Sequence, residues 1–234
     1  MRRFLAVVVA GTLFLAVQVY GEEISLKDKK DKVSYAIGLD VGNAMKKQSI
    51  DINTDIFMKG LKDALAGDKK LMTDDEIRET MTAFSREMAD KQKENMKKIA
   101  EKNKQEGDAF LAENKKKEGV KTLESGLQYK IIAEGAGKAP KAADTVTVNY
   151  KGTLVDGTEF DSSFKRGQPA TFPVNGVIKG WTEALQLMKE GAKWQIFIPS
   201  NLAYGDKGAG GMIGPNAVLI FEVELISIKE AEKK

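Results

Sequence analysis

The fold is decided by residues 148–221. The stretch opens Val148-Asn149-Tyr150-Lys151-Gly152-Thr153-Leu154 and continues Gly157-Thr158-Glu159-Phe160-Asp161-Ser162-Ser163. It then passes Val177-Ile178-Lys179-Gly180-Trp181 and closes with Leu202-Ala203-Tyr204-Gly205 and Leu219-Ile220-Phe221. Single aromatics (Tyr150, Phe160, Trp181, Tyr204, Phe221) recur, each beside a turn glycine or within an alternating apolar run. Runs rich in β-branched and aromatic residues predict strands over 128–132, 145–150, 194–198 and 218–225. Asp156-Gly157 predicts a hairpin turn. One helical segment, 182–188, carries Leu185 and Met188 and can cover one face of the sheet. A sheet wrapped over one short helix leaves a concave site between them.

Composition narrows what that site can do. The chain has 234 residues, enough for one large domain or two small ones. It contains no His and no Cys. That excludes a Ser-His-Asp triad, a Cys-His dyad, a His-based zinc site and any disulfide. The net charge of +3 gives no electrostatic reason to expect a nucleic-acid partner. An aromatic-walled pocket without a strong nucleophile suits a reaction that breaks no bond.

The N-terminus reads as a targeting segment. Arg2 and Arg3 precede an apolar run, 4–19, and a small residue, Gly21, stands before Glu22-Glu23. This is the pattern of a secretory signal peptide over 1–21. The apolar run is about 16 residues, short of the ~20 that span a bilayer. Cleavage after Gly21 leaves a chain of charge +1, expected to be soluble and exported. In a diderm bacterium that means the periplasm or the outer surface.

Between the leader and residue 120 the composition changes. All five prolines lie at or beyond Pro140, and residues 22–118 are crowded with Lys, Glu, Met and Ala. That composition favours helices. The first is expected over about 30–48, with Val33, Ile37, Val41, Ala44 and Met45 on one face. The second is expected over about 54–66, with Phe57, Leu61 and Leu65 aligned and Gly67 as its cap. The third starts at the capping-box sequence Thr73-Asp74-Asp75-Glu76 and runs to Gly107 or to about 118. Its apolar pattern is uneven. Ile77, Met81, Phe84 and Met88 come first, then a polar run to Lys98, and then only Ile99, Ala100, Phe110 and Leu111. Two short helices and a solvated shaft make a thin core for a monomer. Pairing with a second copy would bury Met45, Met58, Met81 and Met88; the plainer alternative is a monomeric three-helix bundle.

Rotation about a peptide bond is a reaction that breaks no bond. Its barrier is ~18–20 kcal/mol, and X-Pro bonds isomerise in tens to hundreds of seconds unaided. The planar amide is the more charge-separated form, so a dry apolar pocket disfavours it relative to the twisted transition state. A few hydrogen bonds complete the scheme. No metal, cofactor or general base is required.

The order of segments in 125–228 resembles the FKBP-type peptidyl-prolyl cis-trans isomerases. The resemblance implies an antiparallel sheet wrapped over one short helix, and it implies roles. Trp181 would be the floor for the proline ring, with Tyr150, Phe160, Val177, Ile178 and Phe221 as walls. Asp161 would sit at the rim, accepting from Tyr150 or Arg166. Tyr204 would point its hydroxyl at the substrate carbonyl, the Ile178 N–H would hold a residue flanking the proline, and Ile213 would close one edge. The loop 206–216 would be a flap over the site. Taken singly, Trp181, Tyr150 and Phe221 read more readily as core and Asp161 as a helix or turn cap, and Asp161 with Arg166 could be a surface pair; it is their coincidence in family order that makes them a pocket. Ala170 and Gly176 depart from the family pattern and are expected to thin one rim, weakening macrolide binding (tacrolimus, rapamycin).

Val33-Ser34-Tyr35-Ala36-Ile37-Gly38, Phe57-Met58-Lys59-Gly60-Leu61 and the long rod are similar to the macrophage infectivity potentiator-like, two-domain exported isomerases. That similarity implies an α+β chain: a helical dimerisation domain over 22–120, with a long helix at about 74–118, then an isomerase domain over 121–234. The expected partners are proline-containing polypeptides and a second copy of the chain. The alternative is a holdase chaperone with weak isomerase activity.

Overall fold

Asp28 and Asn53 start the first two helices by the same chemistry, a side-chain oxygen accepting orphan backbone N–H groups. Asp28 accepts from the Asp31 N–H at 2.8 Å and opens α1 (Lys29–Lys47). Asn53 accepts from the N–H groups of Asp55 and Ile56 at 3.0 and 3.1 Å and opens α2 (Thr54–Ala66). Gly67 ends α2 at φ 70°, the left-handed conformation that its sequence position predicts. The computed structural model describes residues 25–231; the leader expected over 1–21 lies outside them.

The chain divides into two compact units, one ending at Thr73 and the other beginning at Asp74. In the first, α1 has no buried residue and α2 has one, Asp63, which pairs with Lys59. Val33, Ile37, Met58, Leu61 and Leu65 are all exposed. Apolar residues at helical spacing have thus found no core within this unit.

The second unit begins with α3 (Asp74–Asn114), 41 residues and about 60 Å long. The helix ends four residues before the expected 118. Asn114 is buried there, donating to the Gln128 side chain at 3.0 Å, while Gln128 donates back to the Leu111 carbonyl at 2.9 Å. These bonds serve polar groups at the helix end and fix where the strands begin. Gly107 does not interrupt the helix. A Cβ there would lie 2.7 Å from a Val218 methyl, so the residue is a notch into which Val218 fits. The polar shaft is laced by i,i+4 pairs, Glu87–Lys91 and Glu94–Lys98 at 2.7 Å.

Seven antiparallel strands follow: β1 (Val120–Thr122), β2 (Gln128–Ala133), β3 (Thr145–Leu154), β4 (Glu159–Ser162), β5 (Ala170–Pro173), β6 (Lys193–Ile198) and β7 (Leu219–Lys229). Their order is β1-β2-β6-β7-β3-β4, with β5 also paired to β3. The four strands expected from alternation are β2, β3, β6 and β7. The alternation is literal: Val146, Val148 and Tyr150 of β3, Trp194, Ile196 and Ile198 of β6, and Leu219, Phe221, Val223 and Leu225 of β7 are buried. Phe197, on the opposite face of β6, is covered by Phe110 of α3 at 5.9 Å.

The helix against the sheet, α4, spans Lys179–Leu185, three residues earlier than the expected 182–188. Two bonds explain the shift. The Thr182 N–H closes the first turn on the Ile178 carbonyl at 3.0 Å, and the Thr182 hydroxyl donates to the Val174 carbonyl at 2.8 Å. Thr182 is therefore an anchor inside the helix rather than its start. Leu185 closes α4, and Met188, fully buried, lies in the turn beyond it.

A Cβ on Gly180 would lie 2.5 Å from the buried Ile198 side chain. Gly180→Ala should therefore lose stability despite alanine's better helix propensity. Overpacking of this kind costs about 1–3 kcal/mol, which a melting curve would register as a Tm lower by about 2–12 °C.

Candidate active site

The site is assembled by strand register. Gly152 of β3 faces Phe221 of β7 on one side and Asp161 of β4 on the other. A Cβ on Gly152 would lie 2.7 Å from the rings of both Phe160 and Phe221, so its absence lets those two rings meet edge to face at 5.4 Å. Trp181 rises from α4 beneath them. Its ring stands edge to face with Tyr150 at 5.3 Å and with Phe221 at 5.2 Å, a favoured geometry for aromatic pairs. Above these rings lies a cavity of about 620 Å³.

Of the residues singled out from sequence, Tyr150, Phe160, Asp161, Val177, Ile178, Trp181, Tyr204, Ile213 and Phe221 all line this cavity. Trp181, Tyr150 and Phe221 are also core members, 4 or 5% exposed. These three residues therefore belong to the core and to the cavity lining at once. Arg166 stands outside the lining. The turn in which its N–H bonds the Ser163 carbonyl at 3.1 Å brings it back over β3, with its guanidinium 5.3 Å above the Tyr150 ring.

Asp161, Tyr150 and Arg166 form a closed triangle at the rim. The Tyr150 hydroxyl donates to Asp161 at 2.5 Å and accepts from Arg166 at 2.7 Å, and Arg166 also pairs with Asp161 directly. Burial raises the Tyr150 pKa, and the hydrogen bond to Asp161 raises it further. Burial alone would push Asp161 up. The bonds from Tyr150 and Arg166 outweigh it and hold the carboxyl below the usual carboxylate range. The triangle thus keeps Asp161 charged and Tyr150 neutral across the middle of the pH scale.

Two donors are left over. Among the described residues the Tyr204 hydroxyl makes no hydrogen bond, and the Ile178 N–H, at the entrance to α4, has no acceptor. Both belong to the cavity lining.

Sequence reading missed Phe172 and named the loop 206–216 only collectively, as a flap; Ala209, Gly210 and Met212 of that loop line the cavity, as do Phe172 and the rim position Gly176. The rim beside Ala170 is not left bare. Phe172, two residues further along the same face of β5, packs 6.0 Å from both Tyr150 and Trp181. No sequence signal marked it, since β5 is four residues long, too short to show a period. Gly176 does leave its side of the cavity without a side chain. The loop carrying Ala209 to Ile213 is pinned by two mutual bonds between Ala209 and Ile213, at 2.8 and 3.0 Å. Gly208 makes this turn possible: it sits at φ 64°, and a Cβ would collide with the Ile213 carbonyl at 2.2 Å.

Comparison with known proteins finds two family models that match the chain. The family model described as a domain amino terminal to FKBP-type peptidyl-prolyl isomerase matches residues 30–131, and the FKBP-type peptidyl-prolyl cis-trans isomerase model matches 136–226. The chain is 51% identical to the outer membrane protein MIP of Legionella longbeachae, over 88% of this chain and 89% of that one. It is 49% identical to the peptidyl-prolyl cis-trans isomerase Mip of Coxiella burnetii, over 88% and 89%. Among solved structures, FkpA from Escherichia coli matches with a TM-score of 0.69 at 41% identity, covering 89% of this chain and all of that one. The chain therefore belongs to the FKBP-type peptidyl-prolyl cis-trans isomerases, with the helical amino-terminal domain that accompanies them.

Proposed function

We propose that the chain catalyses cis-trans isomerisation of X-Pro bonds in exported polypeptides, without covalent chemistry. The observation that carries this reading is a cavity walled by Tyr150, Phe160, Phe172 and Phe221 over Trp181, in a chain that has no His and no Cys. The proline ring lies on Trp181. The dry walls disfavour the planar, charge-separated amide, which lowers the barrier to twisting. The Tyr204 hydroxyl and the Ile178 N–H, both without partners, hold the carbonyls flanking the proline. The Asp161–Tyr150–Arg166 triangle keeps the rim rigid.

The N-terminal helices make the protein a homodimer. Support comes from the exposed apolar residues of α1 and α2, whose faces a second copy would cover. In this reading 22–120 is the dimerisation domain and 121–234 the isomerase domain. Pairing gives one client two pockets and raises the effective concentration of the second. The leader over 1–21 and the kinship with an outer membrane protein support export to the periplasm or outer surface of a bacterium. Any part of those apolar faces that pairing leaves uncovered would serve a companion role as a holdase for unfolded chains. Macrolides (tacrolimus, rapamycin) would enter the same cavity, weakened on the Gly176 side.

In a protease-coupled assay on a proline tetrapeptide, Tyr204→Ala should lower kcat/KM roughly tenfold, the order expected for a lost hydrogen bond to substrate. Because Tyr204 is 41% exposed, its Tm should not move. An unchanged rate would sink the pocket assignment. Aggregation suppression that survives in this variant would separate holding from catalysis.

The rate should be flat between about pH 5 and 9, since Asp161 is held below the usual carboxylate range and Tyr150 above the usual phenol range. Asp161, with its lowered folded-state pKa, contributes stability above its unfolded pKa and loses it as pH falls through the folded value. Tyr150, with its raised pKa, contributes below its unfolded pKa and loses that contribution as pH rises through the folded value. A break near neutrality in the pH–rate profile would contradict the assignment. Sedimentation of the mature chain should give about twice the monomer mass, and removal of residues 22–73 should return the monomer.

A further inference from the structure

The loop over the cavity is bonded to the long helix as well as to its own domain. The Asn103 side chain of α3 donates to the Pro215 carbonyl at 2.8 Å, across 112 residues of sequence. The Asn216 side chain donates back to the Ala100 carbonyl at 3.4 Å. Two amide side chains thus cross-link one turn of helix to the base of one loop.

The fit around them is close. A Cβ on Gly214 would lie 2.8 Å from the Asn103 amide nitrogen and 3.2 Å from Ile99, and the Gly107 notch receives Val218 one residue before β7. Asn216 itself sits at φ 58°, in the left-handed region, and its N–H closes the loop on the Gly205 carbonyl at 2.8 Å. Asn is among the few residues that adopt this conformation readily. One residue therefore ties the two ends of the loop together and fastens both to the helix. Tyr204 precedes this knot, and Met212 and Ile213 lie between its ends.

We propose that Asn103 and Asn216 are positioning residues for isomerisation, fixing Tyr204 and Ile213 at the height above Trp181 that a bound proline requires. The long helix is, on this view, the outer buttress of the active site. Its return to apolar character at Ile99, Ala100, Phe110 and Leu111 marks the seat. The inference rests on the isomerase reading of the cavity.

The test uses the full mature chain with two substitutions. Asn103→Leu removes the donor at similar size. Asn216→Gly removes the side chain while keeping a residue that adopts φ 58° without strain. For each, KM for a proline tetrapeptide should rise roughly three- to tenfold, the span of one hydrogen bond, with kcat within about twofold of the parent. Amide exchange at Ala209, Ile213 and Asn216 should quicken by a similar factor, while exchange in β3 and β7 should not change. A KM unmoved in both variants of an active parent would overturn the proposal, as would unchanged exchange in the loop. If the parent shows no isomerase activity, the functional reading fails, and the exchange measurement decides the brace by itself.

Discussion

The close approach of α4 to β6 sets the position of everything else in the catalytic domain. With seven residues, α4 is too short to persist alone. It exists because Thr182 is bonded to the segment before it and because Gly180 presents no side chain to Ile198. That contact lowers Trp181 onto the sheet and fixes the angle of its ring. Tyr150 and Phe221 then stand edge-on to the indole, Phe160 stands edge-on to Phe221, and the cavity is the space these rings leave. A change at the helix–sheet spacing is therefore a change at the floor of the site.

A second contact operates at the opposite face of the sheet. Phe110 covers Phe197, Asn114 donates to Gln128, which donates on to the Leu111 carbonyl, and Gly107 admits Val218. A glycine inside a helix costs about 1 kcal/mol against alanine. Here it gains a close approach that no larger residue permits. The last third of α3 thus belongs physically to the β domain, although its composition is that of the helices before it.

What could be read from the sequence follows from the range of the forces involved. The long strands were legible because one buried face imposes alternation over six or more residues. β1, β4 and β5 are three or four residues long, too short to show a period, and were missed as strands. The rim residues Phe160 and Asp161 were legible through their motif even though the strand under them was not. Phe172 was missed because a four-residue strand carries too short an alternation to mark its inward face. The α4 boundary slipped because Thr182 looks like a cap, and only the Val174 carbonyl reveals it as an anchor. Asn103, in a polar run, gives no local sign of a bond to Pro215. No periodicity encodes a contact across more than a hundred residues.

Tyr150, Trp181 and Phe221 are at once the wall of the cavity and the centre of the core. In many enzymes the reactive groups are mounted on a scaffold that could hold its shape without them. Here the scaffold is the reagent. Such a protein has little room to trade robustness for rate, because a looser centre would blunt the surface on which, in the proposed reading, a proline lies. It also carries no thiol and no imidazole, so neither thiol oxidation nor imidazole protonation can alter its working surface.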